Sequence, residues 1–257
     1  MRRGSLVRSL AAAFSLAVSA MALPDPAMAQ PEQVCRTLPP RDPMPREARP
    51  EYMDGDYWRA RVAELSRIAS RDMSYAQMIF LGDSITHSWH LPVWEQYYGQ
   101  RGGVNFGAAG DFVQSMLWRL QQGGQWPASL RPKLAVLLIG TNNSVYSAPP
   151  ENTALGIAEV VRLIRQRSPT TRILLVGILP RGADAADPQR RLNQRVNELI
   201  ARCADNRFVF YTDVGGVLLD RQARLTEQIA PDRLHLSAEG YARLSAALEP
   251  AIQPLMR

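Results

Sequence analysis

The chain has 257 residues, 46% of them hydrophobic, enough for one domain with a substantial core. Its formal charge of +6 comes from 30 basic and 24 acidic residues, and the basic ones are mostly arginines spread along helix-like stretches such as 59–71 and 162–167. No compact basic run with interleaved aromatics occurs, so the charge reads as solvated helix faces and nucleic acid is not an expected partner.

At the N-terminus, Arg2, Arg3 and Arg8 flank an apolar stretch over 10–23 that is too short to span a bilayer comfortably. Ala27-Met28-Ala29 follows with the small-x-small pattern of a cleavage site, which predicts a signal peptide over 1–29 and a mature start at Gln30. Pro24 and Pro26 weigh against an uncleaved anchor. Cleavage leaves 228 residues and lowers the formal charge to +4, because three arginines and Asp25 are lost. The protein is therefore expected to be exported, periplasmic or secreted, with no stable membrane insertion after cleavage. In an oxidising compartment Cys35 and Cys203 can pair and tie the N-terminal extension to the last third of the domain; one exposed and one buried thiol is the alternative. Neither has metal-site spacing, and no metal is expected.

Residues 30–50 are rich in proline and charge and read as an extended arm or linker before a domain over 51–257. A helix is predicted over 57–70, a strand over 78–81, a short strand over 104–106 and a helix over 112–122. The strongest core strand, 134–139, precedes a helix with apolar positions Leu155, Ala158, Val161, Leu163 and Ile164. A strand over 172–178, a helix over 188–204 and a strand over 208–211 continue the pattern. The last helix begins near Ser237, a natural N-cap with Glu239 in the first turn. Continuous apolar strands alternating with amphipathic helices predict a three-layer α/β/α sandwich around a five-stranded parallel sheet.

Three strand ends carry small or polar residues: Gly82-Asp83-Ser84, Gly107 and Gly140-Thr141-Asn142. In a parallel sheet these ends share one edge, where α/β folds bind ligands. Ser84 at a helix start is a candidate nucleophile whose own N–H faces an incoming carbonyl oxygen, aided by the helix dipole; the plainer role is an N-cap. Gly107 offers a closely approachable N–H, or merely a turn. Asn142 offers a side-chain donor for an oxyanion hole, or turn chemistry alone. Near the C-terminus Asp232 precedes His235 by three residues, a spacing that lets the carboxylate orient the imidazole as general base. The other histidines, His87 and His90, have no upstream carboxylate at such spacing and are assigned to the pocket rim or surface. The Gly-x-Ser-x-Gly elbow is absent, since position 86 is threonine. Trp89, Trp94 and Trp126 form a candidate sugar-stacking platform, with core packing as the alternative.

Gly82-Asp83-Ser84, Gly107, Gly140-x-Asn142 and Asp232-x-x-His235 together resemble the four blocks of the SGNH, or GDSL, hydrolases, over about residues 75–248. The stretches 81–86, 138–143, 177–182 and 234–241 look like the branch containing the catalytic subunits of type Ib platelet-activating-factor acetylhydrolase. The resemblance implies a flavodoxin-like strand order, no cofactor, a catalytic set of Ser84, Asp232 and His235, and an oxyanion hole of Ser84, Gly107 and Asn142. Gly-Thr-Asn-Asn replaces the Gly-x-Asn-Asp of many relatives, so Asn143 supports its loop differently. The expected activity is that of a serine esterase acting on short-chain, mainly acetyl, esters of a carbohydrate or small lipid through an acyl-enzyme. An acyltransferase with the same residues and a non-catalytic carbohydrate-binding protein remain as alternatives. The expected partner is the small-molecule or glycan ester, and a homodimer is left open.

Overall fold

The computed structural model describes residue 1 and residues 34–257. The signal peptide and cleavage site expected in 1–29, with the first residues of the arm, lie outside the described residues. Five strands, β1 (Met78–Gly82), β2 (Gly103–Gly107), β3 (Leu134–Leu138), β4 (Arg172–Val176) and β5 (Val209–Thr212), form one sheet in the order β2-β1-β3-β4-β5. Every neighbouring pair is parallel, the flavodoxin-like arrangement expected.

Strand side chains point alternately to opposite faces, and the burial follows that period. Ile79, Leu81, Ala135, Leu137, Ile173 and Leu175 enter one core, while Met78, Phe80, Leu134, Val136, Leu174 and Val176 enter the other. Among the described residues, eight α-helices accompany the sheet in chain order: α1 (Asp56–Ala69), α2 (Ser84–His87), α3 (Leu91–Tyr97), α4 (Val113–Gln121), α5 (Thr141–Val145), α6 (Pro150–Arg167), α7 (Pro188–Ile200) and α8 (Ala238–Leu255). Apolar residues of α1, α4, α6 and α7 fill the first core; those of α3 and α8 fill the second. Ser237 caps α8 as expected, its Oγ accepting the Gly240 N–H at 3.1 Å.

Two expectations change. The arm does not stand away from the domain: Val34, Cys35, Leu38 and Ala48 are buried in the first core, and the Arg162 guanidinium donates to the Leu38 carbonyl. The two cysteines are joined in a disulfide with Cα atoms 4.2 Å apart, which fixes the arm beside the end of α7. The tryptophan platform is not formed either. Trp89, Trp94 and Trp126 are 6%, 7% and 4% exposed, and Trp89 packs between Phe80 and Tyr241 while its indole N–H donates to Ser245 Oγ. A large aromatic ring next to an apolar sheet gains more from full burial than from a solvent-facing role.

Strand register brings three chain segments together. Gly82 lies level with Gly107 on one side and Leu138 on the other, so the segments leaving β1, β2 and β3 emerge side by side at the carboxyl edge of the sheet.

Candidate active site

Ser84 is the first residue of α2, directly after β1. Asp83 caps this helix through its Oδ1, which accepts the Ile85 N–H at 3.0 Å. As a first-turn residue, Ser84 keeps its N–H outside the intrahelical ladder. The helix has only four residues, so the dipole expected behind Ser84 reduces to the N–H groups of one turn. Two outside contacts fix that turn: the buried Tyr241 of α8 donates its hydroxyl to the Ile85 carbonyl at 2.7 Å, and Asn105 Nδ2 donates to the Thr86 carbonyl at 2.7 Å.

His235 comes from the loop before α8, 151 positions away, and its Nε2 lies 2.9 Å from Ser84 Oγ. Its Nδ1 lies 2.6 Å from Asp232 Oδ2, while Asp232 Oδ1 accepts the N–H groups of His235 and Leu234 at 2.7 and 3.0 Å. Burial alone would raise the Asp232 pKa, but the bonds from the His235 ring, its N–H and that of Leu234 together hold it below the usual aspartate value. An ionised Asp232 accepts a hydrogen bond from Nδ1–H and so keeps that proton on the ring, leaving Nε2 as the acceptor for the serine hydroxyl. The His235 side chain is 43% exposed, so the arrangement is open to water.

The oxyanion side differs from expectation at one position. The Gly107 N–H donates to Asn105 Oδ1 at 2.9 Å and is thus occupied. A Cβ on Gly107 would lie 2.3 Å from the His87 backbone nitrogen; glycine is needed there because β2 and α2 approach backbone to backbone. The Gly107 N–H expected to serve as a donor is therefore not free, and the candidate in its place is Gly110, three residues on. Gly110 has φ +82°, open space where a Cβ would stand, and an N–H that donates to no protein acceptor among the described residues. Its neighbour Asp111 accepts Asn142 Nδ2 through the backbone carbonyl at 2.8 Å, which leaves the second Asn142 amide proton free beside this loop.

His87 sits under the same loop: its Nδ1 accepts the Ala109 N–H at 3.3 Å. Burial, with the Arg61 guanidinium, lowers the His87 pKa and favours the neutral ring that this bond requires. His90 is half-buried at the start of α3, and neither it nor His87 bonds to Ser84.

A family model for the GDSL-like lipase/acylhydrolase family matches residues 80–243, more than half of the chain. The chain belongs to the GDSL-like hydrolases. Among curated relatives, the platelet-activating factor acetylhydrolase IB subunit alpha1 of Pongo abelii is 34% identical over 182 residues, covering 70% of this chain and 77% of that one. The alpha2 subunit of Rattus norvegicus is 32% identical over 184 residues, with 70% and 77% covered. A GDSL-like lipase from Bacteroides thetaiotaomicron has the same fold, with a TM-score of 0.60 at 20% identity over 77% of this chain and 97% of that one. So does Axe2, an acetylxylan esterase from Geobacillus stearothermophilus, with a TM-score of 0.54 at 18% identity over 68% and 93%. The protein is thus a serine hydrolase acting on carboxylic ester bonds.

Sequence reasoning missed the supports of this GDSL-like site. Asp111 and Arg119 form an ion pair with both side chains fully buried, and Trp58 and Ser115 donate to the same carboxylate. Arg119 also donates to the Phe106 carbonyl at 3.1 Å, so the pair clamps the loop that carries Gly110 between β2 and α4. Asn143, the residue that departs from the common family pattern, accepts the Val113 N–H at 3.1 Å and donates to Gln114 Oε1 at 3.0 Å, joining α5 to α4. Arg181 donates to the Thr141 carbonyl at 3.1 Å and holds a guanidinium near Asp187, Asp83 and Asp232. The available signal was the position of these residues beside named motifs; the pairing itself had no local signature.

Proposed function

We propose that the protein is an exported serine esterase that releases short acyl groups, acetyl foremost, through an acyl-enzyme. The observation that carries this reading is the continuous hydrogen-bond chain from Ser84 through His235 to Asp232, with distances of 2.9 and 2.6 Å. His235 Nε2 takes the hydroxyl proton as Ser84 Oγ attacks the ester carbonyl carbon. The resulting oxyanion is held by the N–H groups of Ser84 and Gly110 and the free amide proton of Asn142. Collapse breaks the bond to the alcohol oxygen, which leaves with the proton from His235. Water then gives a proton to His235, attacks the acyl carbon and releases the carboxylic acid as Ser84 recovers its proton.

The acetyl preference is supported by relatives named as acetylhydrolases and by the fold shared with an acetylxylan esterase. The exposed imidazole favours water as acyl acceptor over a bound alcohol, and so hydrolysis over transfer. Export is supported by the basic, apolar and small-x-small succession over residues 1–29 and by the paired cysteines, which persist in oxidising compartments.

A fluorophosphonate probe tests the nucleophile: it should label the native enzyme and leave folded Ser84→Ala unlabelled. Equal labelling of both would remove Ser84 from its role. Loss of one oxyanion donor typically costs about 3 kcal/mol, so Asn142→Ala should lower turnover of nitrophenyl acetate by roughly two orders of magnitude.

A further inference from the structure

A cavity of about 490 Å³ is lined in part by the loop that carries Phe112, and Arg46 and Glu47 of the arm, with Glu51, Tyr52, Met53 and Asp54 just after it, form one of its walls. That volume falls within the range of small-molecule sites. The arm segment is held in place: the Glu51 N–H donates to the Gln114 carbonyl at 3.0 Å, Arg46 Nε donates to Glu51 Oε2 at 2.6 Å, and Ala48 is buried. It lies outside residues 80–243, the stretch that matches the family model.

Chain neighbours of the candidate oxyanion residues build part of the cavity wall. Asp111 and Asn142 are bonded at 2.8 Å behind the oxyanion position, and the next residue of each strand connection, Phe112 and Asn143, lines the cavity. Consecutive Cα atoms are about 3.8 Å apart. The cavity wall therefore begins one residue from Asn142, whose free amide proton is a candidate oxyanion donor.

Its lining combines aromatic faces with charged hydrogen-bonding groups. Tyr146 is 75% exposed with its ring 5.4 Å from Phe112, and Tyr52 is 47% exposed above Trp118 at 4.8 Å. Around them stand Arg46, Glu47 and Asp54. Arg46 pairs with Glu51 and Asp54 with Arg59, and an alkyl chain laid over these pairs would displace their water without replacing its hydrogen bonds. A polyhydroxylated ring satisfies both features, since its C–H face packs on the electron-rich ring face while its hydroxyls bond to the carboxylates and the guanidinium.

Resting on the esterase reading above, we propose that this cavity is the subsite for the sugar rings of an acetylated oligosaccharide, with Tyr146 as its stacking face. The buried tryptophans leave that task to Tyr52 and Tyr146.

The test compares kcat/KM for acetylated xylo-oligosaccharides, nitrophenyl acetate and hexyl acetate in the native enzyme and in Tyr146→Ala. A ratio does not depend on the fraction of enzyme folded. The oligosaccharide-to-nitrophenyl-acetate ratio should fall at least tenfold, chiefly through KM, with no matching fall in the hexyl-to-nitrophenyl ratio. An unchanged sugar ratio, or an equal fall for hexyl acetate, overturns the proposal. Native enzyme that cleaves nitrophenyl acetate but not the acetylated sugar overturns it while leaving the esterase reading intact. Cleavage of none of the three removes the esterase reading and the proposal with it.

Discussion

Asp83 is 1% exposed and stands one residue before the serine, where it caps α2. Burial raises its pKa to about 7, with the nearby Asp111 carboxylate adding to the shift and the Ile85 N–H opposing it. Between about pH 4 and pH 7 the native state keeps a proton on Asp83 that the unfolded chain has already released, so stability falls as pH rises through this window. Asparagine can accept the same Ile85 N–H without ionising. Asp83→Asn should therefore match the native protein near pH 4 and exceed it by up to about 4 kcal/mol at pH 8, measured by urea denaturation at both values. A constant difference across that range would mean that the carboxyl is ionised throughout. Gly107 and Gly110 make a related point at the same scale. Both stand in one short motif, and their sequence context does not say which amide is free; the Asn105 side chain decides it by bonding to the first.

At the level of elements, the long strands and helices were legible because each presents a full period of apolar residues to a core. The expected strand over 134–139 and helix over 188–204 correspond to β3 and to α7 with its 3-10 extension at Ala201–Cys203. The short helices α2, α3 and α5 were not delimited. Four to seven residues are too few to show a helical period, and their formation depends on caps and contacts supplied from elsewhere. The β2–α4 connection is an extreme case, since its shape is set by a buried ion pair between Asp111 and Arg119. Removing one member leaves the other charge without its partner, so Arg119→Met should cost about 3–5 kcal/mol in urea denaturation. Turnover should drop as well, because the same pair positions the loop that carries Gly110. Normal stability in that variant would show that Trp58 and Ser115 hold Asp111 by themselves.

For the whole molecule, the covalent link between Cys35 and Cys203 spans 168 positions and joins the arm to the region after α7. Long closed loops restrict the unfolded chain strongly, and loss of a native disulfide typically costs about 2–5 kcal/mol. Replacing both cysteines by serine should lower stability by that amount, with nitrophenyl acetate hydrolysis retained at temperatures below the reduced midpoint. Unaltered denaturation midpoints for the oxidised native protein and the double variant would mean that the buried apolar residues of the arm suffice to dock it.

The sequence by itself determined the strand–helix alternation, the parallel sheet and the family blocks around Ser84, Asn142, Asp232 and His235. Each rests on local periodicity or on short spacing along the chain. Only the tertiary structure decided which glycine amide is free, where the tryptophans go and how the arm packs into the first core. Those outcomes depend on packing between segments far apart in the chain, and such contacts leave no periodic trace in either partner.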